Sequence, residues 1–307
     1  EELFVTTQKQ ELQQQIDKGN ARKYFLENVS SKVFLGCALL SVVSLLLIVG
    51  FVFIKGANPF ITGEYSFIDF IFGHDWVPSE EKFGIFPMIV ASIYATIGAL
   101  VIGVPIGLFT AIFLAEIAPK RVAKIVSPAI QLLAGIPSVL YGVFGLAIIV
   151  PFLQNNLGLA RGQSLIAVIL VLAIMMLPTI VTVAETAIRA VPKSYREGSL
   201  ALGVSEIGTI FKVVVPAAKS GIMAAIVLGL GRALGETMAV ILVAGNSLII
   251  PTSLTDSIRP LTTNIALEMG YAAGTHQEML FATGIVLFSF ILILNFVLAR
   301  LTAKGGH

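Results

Sequence analysis

Residues 33–54 form a run of 22 positions without a charged side chain, and Lys32 and Lys55 bracket the run. A helix rises about 1.5 Å per residue, so this run is long enough to cross a hydrocarbon core about 30 Å thick. Its length, and the 32 residues that precede it, distinguish it from a secretory signal peptide. The run therefore predicts a retained transmembrane helix.

The composition of the whole chain supports a membrane protein. Of the 307 residues, 56% are hydrophobic and only 12% are charged, and the mean hydropathy is +0.93. An ordinary soluble domain is about 25% charged, which makes a soluble or disordered chain untenable here. The net charge of +2 gives no argument for a nucleic-acid partner.

No motif of a soluble enzyme is present in the sequence. The short patterns of nucleotide hydrolysis, zinc proteases and serine hydrolases are all absent. The three histidines, His74, His276 and His307, lie far apart, and the single cysteine excludes an internal disulfide. We therefore expect no enzyme activity, no metal and no cofactor in this chain.

Five more apolar stretches follow the first one. Several exceed 20 residues, which predicts tilting, kinking or extension beyond the lipid. Three of them contain an internal proline, and proline interrupts helical hydrogen bonding, so we expect kinks. The sequence thus predicts an all-α membrane protein with six transmembrane helices. The five stretches lie at about 84–114, 125–153, 164–188, 217–250 and 279–299.

The distribution of positive charge predicts the orientation of these helices. Fifteen of the twenty Lys and Arg residues lie in the N-terminal segment, the 115–124 loop, the 189–219 segment and the C-terminal tail. All four of these regions are on one predicted side of the membrane. The positive-inside rule makes this side cytoplasmic, and six spans then place both termini in the cytoplasm.

These assignments divide the chain into consecutive parts. Residues 1–32 are a predicted cytoplasmic N-terminal segment, and 33–54 are the first transmembrane helix. An external loop follows at 55–82. A membrane-embedded core occupies 83–302 and includes a cytoplasmic segment at 192–216.

The cytoplasmic segment shows a helical apolar pattern. Leu200, Val204, Ile207 and Phe211 recur every three or four residues. Glycines interrupt the pattern, which predicts two short helices joined by a turn. The residues alone leave two interpretations open. The helices lie on the lipid surface, or they project into a groove on a cytosolic partner.

An arginine and a glutamate interrupt the fifth apolar stretch. Arg232 lies 11 residues after Gly221, which places it about 16 Å into the span and near its midplane. Glu236 is predicted one turn further on the same face. An arginine at the bilayer centre costs roughly 2.5–3.5 kcal/mol, so it needs a partner. The pair is either a structural ion pair or an anion site, since a guanidinium fork fits phosphate oxygens.

The cytoplasmic segment resembles the EAA loop of ABC importer permeases. Glu197-Gly198-Ser199, followed by Gly203 and then Val213-x-Val215-Pro216, fits the spacing of that loop without a gap. The resemblance implies a coupling helix at about 197–208 that binds an ATPase subunit. It assigns this docking role to Glu197, Gly198, Ser199, Leu200, Gly203, Val204 and Ser205.

Two further segments are similar to phosphate permeases of the same class. The string GRALGETMAV occupies residues 231–240, and AGIPSVLYG occupies residues 134–142. The resemblance implies that Arg232 and Glu236 lie on the substrate path. It also implies possible path-lining roles for Pro137, Ser138 and Tyr141.

The long first external loop, its Trp76 and the Phe83-Gly84 pair resemble the PstC type of phosphate permease more than its PstA partner. The resemblance covers roughly residues 33–302. It implies type I ABC importer permease architecture in the bacterial cytoplasmic (inner) membrane, and import of inorganic phosphate.

The resemblance also implies the partners of such a permease. They are a second permease of the PstA type, two cytoplasmic ATPase subunits of the PstB type that bind ATP and Mg, and surrounding membrane lipid. An external phosphate-binding protein of the PstS type is expected on the loops 55–82 and 251–278.

Two other functions stay open at this point. A related permease could carry another oxyanion, sulfate or molybdate. A proton-driven secondary transporter is the alternative from a different class, with Glu236 as the proton carrier.

Overall fold

The computed structural model describes residues 2–159 and 161–303, which are mostly helical. Contacts divide the chain into two compact units, residues 1–54 and residues 55–307. Each unit is described by itself below. Most side chains of the predicted N-terminal segment 1–32 lie outside the described residues.

Helix α1 runs from Glu2 to Ile61 and includes all the described residues of the first unit. Residues 27–61 are apolar enough to cross a membrane. The helix therefore continues seven residues past the predicted end of the first span at Ile54. The apolar side chains of residues 33–54 are largely exposed in the first unit, as suits a surface that contacts lipid.

The predicted external loop is folded. It contains helix α2 (Phe67–Phe72) and a two-stranded antiparallel sheet of β1 (Trp76–Val77) and β2 (Lys82–Phe83). Trp76 pairs with Phe83 across this sheet, and the two rings pack edge to face with centroids 5.4 Å apart. Both side chains are buried.

The next helices form the first half of the core. A π-helical turn at Phe113–Ile117 extends α3, and another at Gly145–Ile149 joins α5 to α6. The helices are α3 (Phe86–Ile112), α4 (Lys120–Ala134), α5 (Ser138–Phe144), α6 (Val150–Leu157) and α7 (Leu165–Arg189).

The second half of the core contains shorter helices and one long terminal helix. A π-helical turn at Ile210–Val214 joins α9 to α10. The helices are α8 (Lys193–Ala201), α9 (Glu206–Thr209), α10 (Val215–Ala217), α11 (Lys219–Gly235), α12 (Met238–Val243), α13 (Leu261–Glu268) and α14 (Thr275–Ala303).

Two of the predicted apolar stretches are interrupted, and the kink expected from the internal proline is found in the first of them. The stretch 125–153 is interrupted between α4 and α5, where Pro137 is the residue before α5 and disfavours helical backbone in Ile136. In the stretch 217–250, α11 ends at Gly235, Glu236 is extended with φ −72° and ψ 129°, and α12 begins at Met238.

The structure gives five or six membrane-spanning helices, and the higher count agrees with the predicted six. In the described residues, five helices are long and apolar enough to cross a membrane. A sixth is obtained when 206–217 and 219–235 count as one span, although they bend by 70° at Ala218. No single straight helix in that region serves as the sixth span.

Helix α7 is the central helix of the core. Gly107 of α3 and Gly229 of α11 both approach Ile180 of α7, and a Cβ on either glycine would lie 2.8 Å from an Ile180 side-chain atom. Ile180 and Met176 are fully buried. These glycines let α3 and α11 pack closely on α7, as small residues do between membrane helices.

Candidate transport site and ATPase-docking segment

The central helix brings Thr179 to the predicted transport residue Arg232. Arg232 lies in the last turn of α11 and is half-buried. Its Nη1 atom donates a hydrogen bond of 3.3 Å to Oγ1 of Thr179 on α7. Thr179 follows Pro178, which lies within α7. The sequence alone does not identify Thr179, because a threonine within an apolar helix carries no signal until its neighbours are known.

Glu236 does not pair with Arg232, so the predicted ion pair is wrong. Both residues are described, and no contact of 4.0 Å or less joins their charged atoms. The Oε1 atom of Glu236 instead accepts a hydrogen bond of 3.0 Å from the N–H of Ala239. The physical reason is the end of α11 at Gly235, because four-residue neighbours share a face only within a continuous helix.

The backbone of Glu236 is also held from a third element. Its carbonyl oxygen accepts a hydrogen bond of 3.1 Å from Oγ1 of Thr262 on α13. The Glu236 side chain bonds the start of α12, and its backbone contacts α13. The glutamate thus fixes the chain where α11 ends and α12 begins.

The residues predicted to line the path lie at the break between α4 and α5. Pro137 is exposed and Ser138 is half-buried. Tyr141 is buried, and its hydroxyl donates a hydrogen bond of 2.7 Å to the carbonyl oxygen of Leu133 on α4. This bond ties α5 to α4 across the break.

The two segments singled out in the sequence pack against each other. Gly142 of α5 faces Ala239 of α12, and a Cβ on Gly142 would lie 2.7 Å from the Ala239 Cα. Gly145 makes a similar close approach to Val243. The segments 134–142 and 231–240 are therefore in contact close to the end of α11.

The cytoplasmic segment forms two short helices joined by a turn, and this part of the prediction is confirmed. Helix α8 ends at Ala201, and Gly203 has φ +78°, a conformation that favours glycine. Ser205 then caps α9, because its Oγ accepts a hydrogen bond of 3.2 Å from the N–H of Gly208.

The predicted docking residues separate into an outer and an inner set. Ser199 is buried, and its hydroxyl contacts the Thr209 hydroxyl at 2.9 Å, which holds α8 against α9. Between the helices, Leu202 is 86% exposed. Val204 is half-buried, and the exposed set contains Glu197, Gly198, Leu200, Gly203 and Ser205. An exposed apolar surface at this position suits a protein partner.

A family model described as "Binding-protein-dependent transport system inner membrane component" matches residues 103–304, about two thirds of the chain. The chain belongs to this family. It is therefore a permease, a multi-pass protein of the inner membrane, and permeases of this family work with ATPase and binding-protein partners. The relatives described below are named as transport permeases.

Curated relatives cover most of this permease. A Bacillus subtilis (strain 168) protein named "Probable ABC transporter permease protein YqgH" is 41% identical over 272 residues, or 86% of this chain and 88% of the relative. The "Phosphate transport system permease protein PstC" of Pasteurella multocida is 37% identical over 81% of this chain and 84% of its own length.

Solved structures share the architecture of this permease. One is a bacterial ABC transporter involved in import of the acidic polysaccharide alginate, with a TM-score of 0.56 and 16% identity. That match covers 87% of this chain and 96% of the other. The MetNI methionine ABC transporter, in an inward-facing form, gives a TM-score of 0.55 at 19% identity and covers 73% and 95%. The predicted all-α, type I importer permease fold is confirmed.

The buried carboxylate of Glu268, which no sequence pattern identifies, connects the two predicted external loops of the permease. Glu268 is 6% exposed and accepts hydrogen bonds from Trp76 Nε1 at 2.7 Å and Arg259 Nη1 at 2.8 Å. The His276 Nε2 atom also lies 2.8 Å from Glu268. The cluster connects the β-sheet of residues 76–83 to α13 and α14. Trp76 is 192 positions from Glu268, so no spacing pattern in the sequence joins it to the other members.

No metal site is evident in the part of the chain that the structure describes. Within those residues, no group of three or more His, Cys, Asp or Glu side chains could hold a metal ion. Arg232 itself supplies a positive charge and Thr179 supplies one hydroxyl, and such groups bind anions rather than metal cations.

Proposed function

We propose that this permease imports inorganic phosphate as one half of an ATP-driven transporter. The observation that carries the proposal is the half-buried guanidinium of Arg232, placed on a membrane helix and oriented by Thr179 of α7. A relative named as a phosphate permease, 37% identical over 273 residues, supports phosphate as the anion.

The chemistry of Arg232 suits transient binding of phosphate. A guanidinium carries five N–H donors, and the Thr179 hydroxyl engages one of them. The remaining donors are available for a planar, two-point contact with phosphate oxygens. Glu236 and the path-lining Pro137, Ser138 and Tyr141 belong to the same proposed path. Glu236 carries a negative charge near the anion, which keeps binding weak enough for release.

The outer face of α8 and the following turn is the proposed ATPase-docking surface. Exposed Leu200 and Leu202 supply apolar contact, and exposed Glu197 supplies charge. The proposed partners here are two ATPase subunits of the PstB type, which bind ATP and Mg. A homologous permease of the PstA type completes the path and contributes its own residues to it.

The external side of the permease is the proposed docking site for a phosphate-binding protein of the PstS type. The loops 55–82 and 251–278 are tied together by the Glu268 cluster, which makes one rigid platform. If these two loops are external and the chain spans the membrane six times, both termini lie in the cytoplasm. This orientation also agrees with the excess of positive charge in the segments 115–124 and 189–219.

The test is uptake of labelled phosphate by the four-component complex in proteoliposomes, with and without ATP and with excess sulfate. We expect uptake that requires ATP and that sulfate does not block. Blocking by sulfate or molybdate would replace phosphate with another oxyanion. Uptake that follows a pH gradient and ignores ATP would support the proton-coupled alternative with Glu236 as carrier.

Two variants test the named residues in the same assay. We expect Arg232→Met to lower kcat/KM for uptake about 100-fold, because charged hydrogen bonds to the anion are lost. The complex should still assemble. Glu197→Lys reverses a charge on the docking surface and should weaken co-purification of the ATPase subunits. Full uptake by Arg232→Met would make Arg232 a structural residue.

A further inference from the structure

Arg196 lies on the proposed docking helix α8, next to Glu197, and binds the end of the membrane helix α3. Its guanidinium forms a two-point ion pair with Glu116, with Nε 3.0 Å from Oε2 and Nη2 bonded to Oε1. Glu116 lies in the π-helical turn that extends α3. The Arg196 side chain is 22% exposed and that of Glu116 is 10% exposed, so water competes weakly for this pair.

The same guanidinium binds the C-terminal end of α7. Nη1 donates a hydrogen bond of 2.6 Å to the Val191 carbonyl, and Nη2 donates one of 3.0 Å to the Ile188 carbonyl. The last carbonyls of a helix have no partner within it, and a positive charge there is favourable. Arg196 therefore connects α8, α7 and the end of α3 through a single side chain.

A second cluster strengthens the junction between α7 and α3. Arg189 Nη2 donates a hydrogen bond of 2.6 Å to the carbonyl of Leu114, and Arg189 Nε donates one of 3.0 Å to Glu185. The buried Glu185 also accepts a hydrogen bond of 3.0 Å from the hydroxyl of Ser127 on α4. The end of the α3 extension, the middle of α4 and the last turn of α7 are thus fastened to one another, while Arg196 fastens α8 to the ends of α3 and α7.

We propose that Arg196 is the positioning residue through which movement of the docking helix α8 reaches the transport site. Helix α7 carries both ends of the connection, because Ile188 binds Arg196 and Thr179 binds Arg232. These two α7 residues are nine positions apart, or about 14 Å along a helix. A displacement of α8 that is held at Arg196 moves α7, and with it the hydroxyl that orients Arg232.

A purely structural role of Arg196 makes a different prediction. If the arginine only stabilises the fold, its loss lowers the amount of assembled complex, and each assembled complex still transports the same amount of phosphate per ATP. If Arg196 transmits movement, assembled complexes hydrolyse ATP without moving phosphate. The ratio of phosphate transported to ATP hydrolysed therefore separates the two roles.

The experiment measures this ratio in proteoliposomes that contain the complete complex and the phosphate-binding protein. Arg196→Met removes the connection, and Arg196→Lys keeps the charge without the fork that binds Glu116 and both carbonyls. Arg121→Met is the control, because Arg121 is an exposed arginine of α4. We expect the ratio to fall at least about fivefold in Arg196→Met. It should fall less in Arg196→Lys and stay unchanged in Arg121→Met.

Glu116→Gln provides a second variant that keeps side-chain size, in case Arg196→Met reduces assembly. It weakens the ion pair from the α3 side, and we expect its ratio to fall as well. An unchanged ratio in assembled Arg196→Met and Glu116→Gln complexes would overturn the proposal. The inference about Arg196 rests on the proposed function, and a different result would refute each of them. Absence of ATP-driven phosphate uptake in the unmodified complex would refute the function itself.

Discussion

The Nη1 atom of Arg232 on α11 lies 3.3 Å from the Oγ1 atom of Thr179 on α7, and this contact orients a guanidinium inside the membrane region. The partner is a neutral hydroxyl, which leaves the positive charge of Arg232 unneutralised by that contact. A carboxylate in the same position would compete with an anionic substrate. The neutral partner therefore favours an anion site over a closed ion pair.

Replacing Thr179 with valine tests this relationship with almost no change in side-chain shape. Thr179→Val removes the hydrogen bond that holds one arm of the guanidinium. We expect KM for phosphate uptake to rise about 3- to 10-fold, the equivalent of one hydrogen bond, with little change in the amount of assembled complex. The measurement is initial uptake rate against phosphate concentration.

Thr186→Val on the same helix is the matched control for this prediction. The Thr186 hydroxyl bonds only locally in the described contacts, to the Thr182 carbonyl at 2.8 Å. Its replacement should leave KM unchanged. Equal KM values for Thr179→Val and the unmodified complex would contradict a positioning role for Thr179.

The end of α11 at Gly235 gives Glu236 a role that its sequence position did not suggest. Its carboxylate accepts the N–H of Ala239 at the start of α12. Glu236→Gln keeps an oxygen acceptor, whereas Glu236→Ala removes it. Loss of a capping acceptor costs about 1 kcal/mol, so we expect Ala to lower the thermal midpoint of the purified permease and Gln to change it less.

The same two variants test the proton-coupled alternative. A proton carrier requires a titratable side chain, so that mechanism predicts total loss of uptake in Glu236→Gln. We expect Glu236→Gln to retain uptake that depends on ATP and is indifferent to an imposed pH gradient. Equal destabilisation by Gln and Ala would argue against the capping role.

The sequence predicted the long, uninterrupted helices well and the interrupted ones poorly. Hydropathy and length identified the spans at 84–114, 164–188 and 279–299, because an unbroken apolar run needs only local information. The internal proline predicted the kink in 125–153, but nothing in the sequence predicted the end of α11 at Gly235 within 217–250. Hydropathy is insensitive to such breaks, since lipid and protein interior favour the same residues.

The sequence predicted the charged residues of the candidate site but not the neutral ones. Arg232 is conspicuous because charge is costly in a membrane, but its partner was assigned to Glu236 by helical spacing. Thr179 is 53 positions away from Arg232, and no periodicity connects them. Arg196 and Glu116 are 80 positions apart and were equally invisible. Only the tertiary structure brings such pairs together.

Close packing between α5 and α12 predicts that Gly142 does not tolerate a side chain. A Cβ there would lie 2.7 Å from the Ala239 Cα and 2.8 Å from the Leu242 Cδ1. Overpacking of this kind costs about 1–3 kcal/mol. We expect Gly142→Ala to lower the thermal midpoint of the purified permease.

Gly36→Ala is the control for this substitution, because a Cβ on Gly36 meets no atom within 4 Å among the described residues. Alanine is also the better helix former, so the midpoint should stay level or rise. A midpoint for Gly142→Ala that matches the control would show that α5 and α12 separate readily at this contact.

Asp256 in the external loop makes the permease sensitive to acid at the start of α7. Its Oδ2 atom accepts hydrogen bonds from the N–H groups of Ser253 and Thr252, at 2.9 and 2.8 Å, and from the Thr252 hydroxyl at 3.0 Å. These hydrogen bonds, led by that from the Ser253 backbone, hold the pKa of Asp256 below its ordinary value. The same turn satisfies the first N–H groups of α7, because the Asp256 and Leu254 carbonyls accept from Leu165 and Ile166.

The sign of the pH effect follows from the lowered pKa. The carboxylate stabilises the turn fully above the unfolded pKa of about 3.9, and this stabilisation is lost as pH falls through the folded pKa. We expect amide hydrogen exchange at Thr252, Ser253 and Leu165, corrected for its intrinsic pH dependence, to be slow at neutral pH and to accelerate only below the unfolded pKa. Asp256→Ala should accelerate exchange at neutral pH and abolish the acid transition. Persistence of that transition in Asp256→Ala would assign it to another carboxylate, for which Asp69→Ala in the other external loop is the comparison.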